Sequence, residues 1–396
     1  MYRSKDKEID QEAMKIVLYG IETNNKGAEL MLYAILQEVE KRFPDATVYL
    51  PLGAIKQKEG LNYLHTHVDV RYKPGHALLA LARKFHVAGL LRTIGLNPYW
   101  AEDVYTVKGV DYLLDAFGFR YSDQWAIGDY AVNLMEARLR GYFKQGTKIV
   151  FMPQAFGPFT KKGTRDIMAV INRYSSLVMP REKMSYNYFK TIDFEMEKVH
   201  QFTDFTSLVD GEFPEKYSNL KGGICIIPSN KMFSKKVISF EDYVNLILKI
   251  VAVAEKSGRP VYLLNHEGGK DEKLVKQIAA QLNNGIQIVT DLNGLEVKGL
   301  ISSAYLCITS RFHGAASALN TAVPCLATSW SHKYAELFKD YGLHDNLLNI
   351  EDIDSCMSKV EGLLDEEKNE AMRHHLLAET DKIKSETRSM WNLIFK

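Results

Sequence analysis

The residues best suited to chemistry in this sequence are an arginine and a histidine two positions apart, Arg311 and His313. The apolar run at residues 305–309 predicts a buried strand before them, and the small residues at 315–319 predict a helix packed closely on a sheet after them. The pair therefore lies where a parallel strand meets the following helix. Ligands usually bind at that edge of an α/β sheet.

These two side chains indicate a site for a small anion that undergoes acid–base chemistry. The first turn of the predicted helix offers unpaired N–H groups and the positive end of the helix dipole. Arg311 adds a permanent fork of donors, and His313 titrates near neutral pH. We count the flanking Ser310 and Gly314 with the residues expected to bind the anion.

The composition is typical of a globular protein, and the length of 396 residues predicts two domains. Hydrophobic residues make up 46% of the chain, and 50 basic and 49 acidic residues leave a net charge of +1. This balance argues against nucleic-acid binding, which needs clustered and uncompensated basic residues. The N-terminus is charged, and no run approaches the ~20 apolar residues of a membrane span. We therefore expect a cytoplasmic protein.

The cysteines are expected to be structural. They form no CxxC pair, so the sequence predicts neither a zinc site nor a disulfide framework. Three of them lie in apolar, strand-like runs, which favours small buried hydrophobes in a reducing compartment. The four positions are Cys225, Cys307, Cys325 and Cys356.

Two blocks of alternating strands and helices organise the chain, and each favours a parallel sheet. Strands of the first block are predicted at residues 14–20, 46–50, 110–115, 148–153 and 176–181, with a helix at 28–43. Strands of the second block are predicted at residues 224–228, 260–265, 286–290, 305–309 and 324–329. The predicted fold class is α/β, with two doubly wound, Rossmann-like domains that face each other across a cleft.

The domain boundaries follow from these blocks. The N-terminal domain is predicted at residues 1–210, a polar, turn-rich linker at 211–221 and the C-terminal domain at 222–360. Residues 361–396 are predicted to be helical, and the sequence leaves open whether they pack back across both domains.

Polar residues near the ends of other predicted strands are further candidates for the site. Asn25 and Gly27 either contact the ligand or simply make a turn, and Glu29 either joins the site or only complements a helix dipole. Arg181 either binds the ligand or forms an interdomain salt bridge. Asp115 either joins the site or binds a nearby loop.

The second block offers three more candidate segments. Lys231 and His266 each follow a predicted strand and are expected at the ligand. Lys333 or His332 either lies near the ligand or belongs to a solvated helix start.

From about residue 15 to 342 the sequence resembles the polysaccharide pyruvyltransferase family. The most specific match is the segment 310–314 followed by Val323-Pro324, and weaker matches lie at 24–29, 115–118, 153–159 and 181–185. The resemblance implies a glycosyltransferase-B-like fold, with the acceptor on the N-terminal side and the donor anion on the C-terminal side. It also implies transfer of the enolpyruvyl unit of phosphoenolpyruvate to a sugar of a polysaccharide or its precursor, usually as a ketal.

Within that reaction the candidate residues have expected roles. Arg311 and Arg181 hold the carboxylate and the phosphate, one from each domain. His313 is the acid or stabilises the leaving phosphate, and Asp115 or Glu29 is the base toward the acceptor hydroxyl. Phosphoenolpyruvate is a co-substrate, and the scheme requires no cofactor or metal.

Two aromatic residues depart from the family pattern. Phe117 stands in a region where glycines are common, and it is expected to fill space near the acceptor. Phe156 stands where small or aliphatic residues are common.

Two other functional classes stay open from the sequence. One is a sugar-nucleotide-dependent glycosyltransferase or epimerase, and the other is a non-catalytic carbohydrate-binding subunit. The apolar and basic segment at residues 75–92 predicts a helix packed on the N-terminal domain or a lid over the acceptor. Contact with the inner face of a membrane is its alternative, which would suit a lipid-linked oligosaccharide acceptor.

Overall fold

The computed structural model describes residues 13–21, 25–51, 62–64, 70–72, 102–104, 106–282, 285–330 and 333–396. The segment at 75–92 and His332 lie outside the described residues. Within these ranges no helix combines the length and the apolar character that a bilayer span requires.

A six-stranded parallel sheet forms the core of the N-terminal half. The strands of this half are β1 (Lys15–Tyr19), β2 (Thr47–Pro51), β3 (Asn62–Leu64), β4 (Val70–Tyr72), β5 (Glu102–Val104), β6 (Tyr112–Asp115), β7 (Lys148–Gln154) and β8 (Leu177–Pro180). Strands β4 and β5 form a separate antiparallel pair, and the other six form the sheet. The order in the sheet is β3-β2-β1-β6-β7-β8. The helices of this half are α1 (Lys26–Arg42), α2 (Asp129–Phe143), α3 (Lys162–Tyr174) and α4 (Lys183–Phe189).

Both faces of this sheet are buried, because alternate residues of each strand enter different hydrophobic clusters. In β1, Ile16 and Leu18 pack into one cluster, whereas Val17 and Tyr19 pack into the other. Continuous apolar strands are typical of parallel sheets covered by helices on both sides. The predicted doubly wound architecture is therefore confirmed for this half.

A five-stranded parallel sheet forms the core of the C-terminal half. Its strands are β9 (Ile224–Ile227), β10 (Val261–Leu264), β11 (Gln287–Val289), β12 (Leu306–Thr309) and β13 (Cys325–Ala327), in the order β11-β10-β9-β12-β13. The helices are α5 (Lys231–Ser234), α6 (Phe240–Glu255), α7 (Gly268–Ala279), α8 (Gly294–Ser302), α9 (Phe312–Asn320), α10 (Lys333–Asp340) and α11 (Ile353–Leu364). All four cysteines are buried and unpaired, as predicted.

The strand order places a switch point in each sheet. In the first sheet β1 lies between β2 and β6, and in the second β9 lies between β10 and β12. Chain connections leave in opposite directions on either side of such a point, so a crevice opens at the carboxyl ends of the strands. The loops after β1, β6, β9 and β12 therefore form the rims of the two crevices.

The last helix, α12 (Glu366–Ile394), joins the two halves. Leu376 and Ile383 pack in the core beside the second sheet, whereas Met390 and Trp391 pack in the core beside the first. This helix therefore packs back across both halves. Strands of the main sheets fall within residues 15–180 and 224–327; the exact domain boundaries stay a prediction.

Candidate active site

A cavity of about 300 Å³ opens at the carboxyl ends of the two sheets. Both switch points contribute to it, since its wall includes the loops after β1, β6, β9 and β12. The wall also carries four basic residues from both halves and one carboxylate, namely Arg181, Lys231, Arg311, Lys333 and Glu267. His313, His266 and Asn25 line it as well. Most of the residues singled out from the sequence thus converge on this cavity, with five exceptions among the described residues.

Arg311 is anchored in the wall by two carboxylates. It occupies the N-cap position of α9 in an extended conformation, and its side chain is 9% exposed. Its Nε donates to Oδ2 of Asp271 at 2.7 Å, and its guanidinium also pairs with Glu267. Burial lowers the pKa of Arg311 to about 10, so the guanidinium stays charged at neutral pH.

Asp271 is the buried partner that orients this guanidinium. The carboxylate is 0% exposed and accepts a further hydrogen bond from the backbone N of Asn230 at 3.0 Å. Burial raises its pKa to about 7, and the Asn230 hydrogen bond and Lys231 oppose that rise. The ionised carboxylate therefore depends on the Arg311 guanidinium beside it.

His313 lies where the two halves of the molecule meet. A methyl group at Gly27, in the first turn of α1, would overlap Nδ1 of His313. The Nε2 atom is 3.6 Å from Oδ2 of Asp204 and has no hydrogen-bond partner within the described residues. Burial lowers the pKa of His313 to about 4, although the charge of Asp204 acts in the opposite direction. The imidazole is therefore neutral near pH 7.

Arg181 and Asp204 join the N-terminal half to this histidine. Arg181 NH1 is 3.3 Å from Oδ2 of Asp204, and its guanidinium lies 4.5 Å from the ring centroid of Phe312 in α9. Asp204 also accepts hydrogen bonds from the backbone N and the hydroxyl of Thr206. Burial opposes ionisation of Asp204, but His313, Arg181 and the two hydrogen bonds from Thr206 together outweigh it and lower its pKa. Arg181 thus both lines the cavity and takes part in a salt bridge.

The remaining cations lie close enough to oppose each other's charge. Burial and then Arg311 lower the pKa of Lys231. Burial and then Arg181 lower the pKa of Lys333 to about 7, and its Nζ lies 3.9 Å from the ring centroid of Phe119. His266 is buried, and its pKa is lowered well below its usual value by burial and by Arg311. A bound anion would relieve this repulsion.

Gly27 contacts His313 but is not part of the wall, and four other predicted site residues lie behind the wall rather than in it. The Ser310 hydroxyl hydrogen-bonds with Tyr243 and with Thr328, both at 2.6 Å, so it belongs to a buried network. A Cβ atom at Gly314 would lie 2.7 Å from Oγ1 of Thr309. The glycine therefore allows α9 to begin directly against β12.

Asp115 and Glu29, the two candidate bases, are the other exceptions. Asp115 accepts from the hydroxyl of Tyr121 at 2.7 Å and from Nε2 of Gln154 at 3.1 Å, and burial raises its pKa to about 6. Glu29 accepts from Lys26 at 3.0 Å and from the backbone N of Gly294 at 3.2 Å. Asp115 supports the loop after β6, and Glu29 complements the N-terminus of α8 across the domain interface.

Asn25 and the two unusual phenylalanines also have defined positions. Asn25 caps α1 by accepting from the backbone N of Gly27 at 2.8 Å, and its Nδ2 donates to Glu267 at 3.2 Å. Phe117 lines the cavity, whereas Phe156 is buried and stacks on Tyr121 away from it. The turn and ligand-contact interpretations of Asn25 are therefore compatible.

Sequence reasoning missed Asp271 and Asp204. Asp271 lies among charged residues of α7 and resembles a solvated helix position, so only its packing against Arg311 marks it. Asp204 precedes Phe205-Thr206 in a pattern typical of an Asx turn. Glu267 did carry a signal, because it directly follows His266 after a predicted strand.

Replacing Gly27 with alanine is expected to reduce turnover to about the level of a His313 variant, because the new methyl group displaces the imidazole. Overpacking of this kind also costs about 1–3 kcal/mol of stability. A double-mutant cycle with His313→Ala tests the cause: the second replacement should cost no further activity. Additive losses of activity would contradict a role for Gly27 in seating His313.

Comparison with solved structures identifies the fold. Alr3699/HepE from Anabaena, solved in complex with UDP and glucose, has a TM-score of 0.55 and 11% identity, covering 96% of this chain and 99% of that chain. A UDP-GlcNAc 2-epimerase from Methanocaldococcus jannaschii has a TM-score of 0.53 and 12% identity, covering 90% of this chain and 94% of that chain. Identities this low show the fold alone, and they confirm the expected glycosyltransferase-B-like architecture.

Comparison with protein sequences identifies the family. The amylovoran biosynthesis protein AmsJ of Erwinia amylovora is 22% identical over 403 residues, covering 89% of this chain and 92% of that protein. The sequence model described as polysaccharide pyruvyl transferase matches residues 25–332, from the Asn25 cap to the segment after β13. Since this match spans most of the chain and includes Arg181, Arg311 and His313, the chain belongs to the polysaccharide pyruvyl transferase family.

Proposed function

We propose that this protein transfers the pyruvyl group of phosphoenolpyruvate to two hydroxyls of a sugar, in a polysaccharide or its precursor, as a ketal. The family and the AmsJ relative support the broader role of a transferase in polysaccharide modification. The observation that carries the finer proposal is the cavity in which four basic residues from both halves lie around one carboxylate. Such a wall suits a small and highly charged anion.

Phosphoenolpyruvate has the charge distribution that this wall would complement, since it carries a phosphate and a carboxylate on neighbouring atoms. Arg311 and Lys231 lie at the switch point of the C-terminal sheet, Lys333 begins the helix after β13, and Arg181 comes from the N-terminal half. Burial and then repulsion by a neighbouring arginine lower the pKa of both lysines, and a bound anion offsets both effects. Arg311 already pairs with Glu267 and Asp271, so its orientation is set before the donor binds.

The proposed reaction balances with these groups alone. The first sugar hydroxyl adds to C2 of the donor, and its proton ends on C3, which becomes the methyl group. The second hydroxyl then forms its own bond to C2 as the bond to phosphate breaks, and its proton leaves with phosphate. His313 is neutral in the free protein and has an unpartnered Nε2, so it can accept a hydroxyl proton, while Asp204 stabilises the imidazolium formed.

A nucleotide-sugar enzyme is the alternative, favoured by the fold shared with UDP-binding proteins. Isothermal titration with phosphoenolpyruvate and, separately, with UDP-glucose and UDP-GlcNAc distinguishes the two. We expect phosphoenolpyruvate to bind and inorganic phosphate to compete with it. Binding of a UDP-sugar without binding of phosphoenolpyruvate would reject the proposal.

A lysine pair provides the matched control for that titration. Lys333→Met is expected to weaken phosphoenolpyruvate binding about tenfold, or about 1.4 kcal/mol, because it removes a cation from the wall. Lys276→Met removes an exposed lysine of α7 that pairs with Glu272, so it should leave the affinity unchanged. Equal affinities of the two variants would place the donor elsewhere.

A further inference from the structure

A second cavity, of about 560 Å³, adjoins the 300 Å³ cavity, called the anion cavity below, on the N-terminal side. The two cavities share part of their walls, namely Asn25, Ala28, Phe117, Phe119 and Trp125. A ligand in one cavity therefore lies next to a ligand in the other. The volume falls within the range that is typical of small-molecule sites.

The two cavities differ in chemistry. The anion cavity has four basic residues in its wall, whereas Arg120 is the one charged residue among the described residues that line the second cavity. Three aromatic rings and the apolar side chains of Ile127 and Ile167 form much of the rest. A second site of this kind suits a ligand with a flat apolar face and few charges.

Trp125 is the most exposed of the three aromatic residues, yet it is held in a defined position. Its side chain is 53% exposed, an unusual position for a large apolar group. Its Nε1 donates to the carbonyl of Phe119 at 2.6 Å. Its backbone N donates to the carbonyl of Ser122, and its own carbonyl accepts from the backbone N of Ile127. The ring is therefore preorganised without being buried.

The other two aromatic rings already have cationic neighbours. The Arg120 guanidinium lies 4.5 Å from the ring centroid of Phe117, and Lys333 lies 3.9 Å from that of Phe119. No cation or second ring stacks on Trp125 within the part of the chain that the structure describes. The indole face carries negative electrostatic potential, and the C–H groups on one face of a pyranose are weakly positive, so the two surfaces attract.

We propose that the second cavity binds the pyranose ring of the acceptor, with Trp125 as its stacking platform. The shared wall then brings the hydroxyls of that sugar to the donor in the anion cavity. This inference rests on the proposed function, because it names the acceptor site of the same reaction. Stacking on an indole depends on the shape of the sugar ring rather than on a particular hydroxyl pattern, so it selects hexopyranosides as a class. Neighbouring polar groups would then distinguish one hydroxyl pattern from another.

Saturation-transfer NMR with methyl hexopyranosides as probes tests the acceptor site. We expect saturation transfer to the ring protons of at least one probe, a loss of affinity of about tenfold or more in Trp125→Ala and partial retention in Trp125→Phe. Phe143→Ala is the matched control, since Phe143 is 54% exposed and lies on α2 outside both cavities. No transfer to any probe, or an equal loss in the control, would overturn the proposal.

A second variant tests the cavity without altering the tryptophan. Ala131 in α2 lines the second cavity but not the anion cavity, so Ala131→Leu should fill the acceptor space and reproduce the loss. Unchanged sugar binding in this variant would contradict the placement. Stronger binding of uridine than of any pyranoside, lost in Trp125→Ala, would also overturn it, because the platform would then hold a nucleobase.

Parallel titration with phosphoenolpyruvate separates this inference from the proposed function. Ala131→Leu alters only the second cavity, so it should keep the donor affinity of the unmodified protein, which also shows that this variant folds. If phosphoenolpyruvate fails to bind while a pyranoside does, the proposed function fails and the sugar site stands. If phosphoenolpyruvate binds and no pyranoside does, the sugar site fails alone.

Discussion

Replacement of Arg311 with methionine is expected to lower phosphoenolpyruvate affinity at least about 100-fold, or about 2.7 kcal/mol, and to destabilise the protein by about 3–5 kcal/mol. The loss of binding follows from removal of the main fork of donors in the anion cavity. The loss of stability has a different cause, because Asp271 is fully buried and would lose its cationic partner. Titration calorimetry and urea unfolding measure the two effects separately.

The destabilisation by Arg311→Met should depend on pH in a predictable direction. Burial raises the pKa of Asp271, so without the Arg311 guanidinium the folded variant holds this proton to a higher pH than the unfolded chain does. The neutral acid needs no counter-ion, whereas the carboxylate formed above pH 7 does. We therefore expect a smaller deficit at pH 6 than at pH 8.

A double variant separates folding from binding at this position. Asp271→Asn in the Arg311→Met background removes the unpaired charge, so it should recover much of the stability but none of the donor affinity. Arg259→Met is the control, because Arg259 forms a surface pair with Glu366 and such pairs contribute about 1 kcal/mol or less. Donor binding that survives in Arg311→Met would place the anion away from the segment 310–314.

Replacement of His313 with asparagine is expected to reduce turnover by about 10²–10⁴-fold, with little change in donor affinity. The imidazole lies between Gly27 and Asp204, is neutral near pH 7 and has an Nε2 without a hydrogen-bond partner among the described residues, so it is the candidate that moves the proton. Release of phosphate from phosphoenolpyruvate, measured with a sugar acceptor present, gives the turnover. His374→Asn is the matched control on the exposed face of α12.

The same variant should change the pH dependence of stability. Folding lowers the pKa of His313 from 6.5 to about 4, so the unfolded chain binds one more proton than the folded chain in this window. The free energy of unfolding therefore rises with pH across the window, by up to about 1.4 kcal/mol per unit for this group. His313→Asn should remove that increment from urea titrations. An unchanged slope, or unchanged turnover, would contradict a buried and neutral catalytic histidine.

Local patterns were sufficient to predict most of the architecture. Runs such as residues 305–309 are apolar throughout because both faces of a parallel sheet are covered, and this pattern identified every strand of the second sheet. The position of Arg311 and His313 after β12 could also be predicted locally, because an apolar strand followed by a helix of small residues marks the carboxyl end of that strand. The convergence of Arg181, Lys231 and His266 on one cavity follows from the rule that parallel strands present their carboxyl ends together.

Only the tertiary structure showed which polar groups line the cavity and which hold those groups in place from behind. Gly27 and His313 are 286 positions apart, and Glu29 reaches the backbone of Gly294 across the same interface. Asp271 pairs with Arg311 from a helix whose composition suggests exposure. Contacts of this kind depend on how the two domains dock, whereas a short sequence pattern shows only which face of a single helix or strand is apolar. By itself the sequence therefore determined where the strand ends lie and which basic residues gather there, while domain packing decided the neighbours of each group and the burial that shifts its pKa.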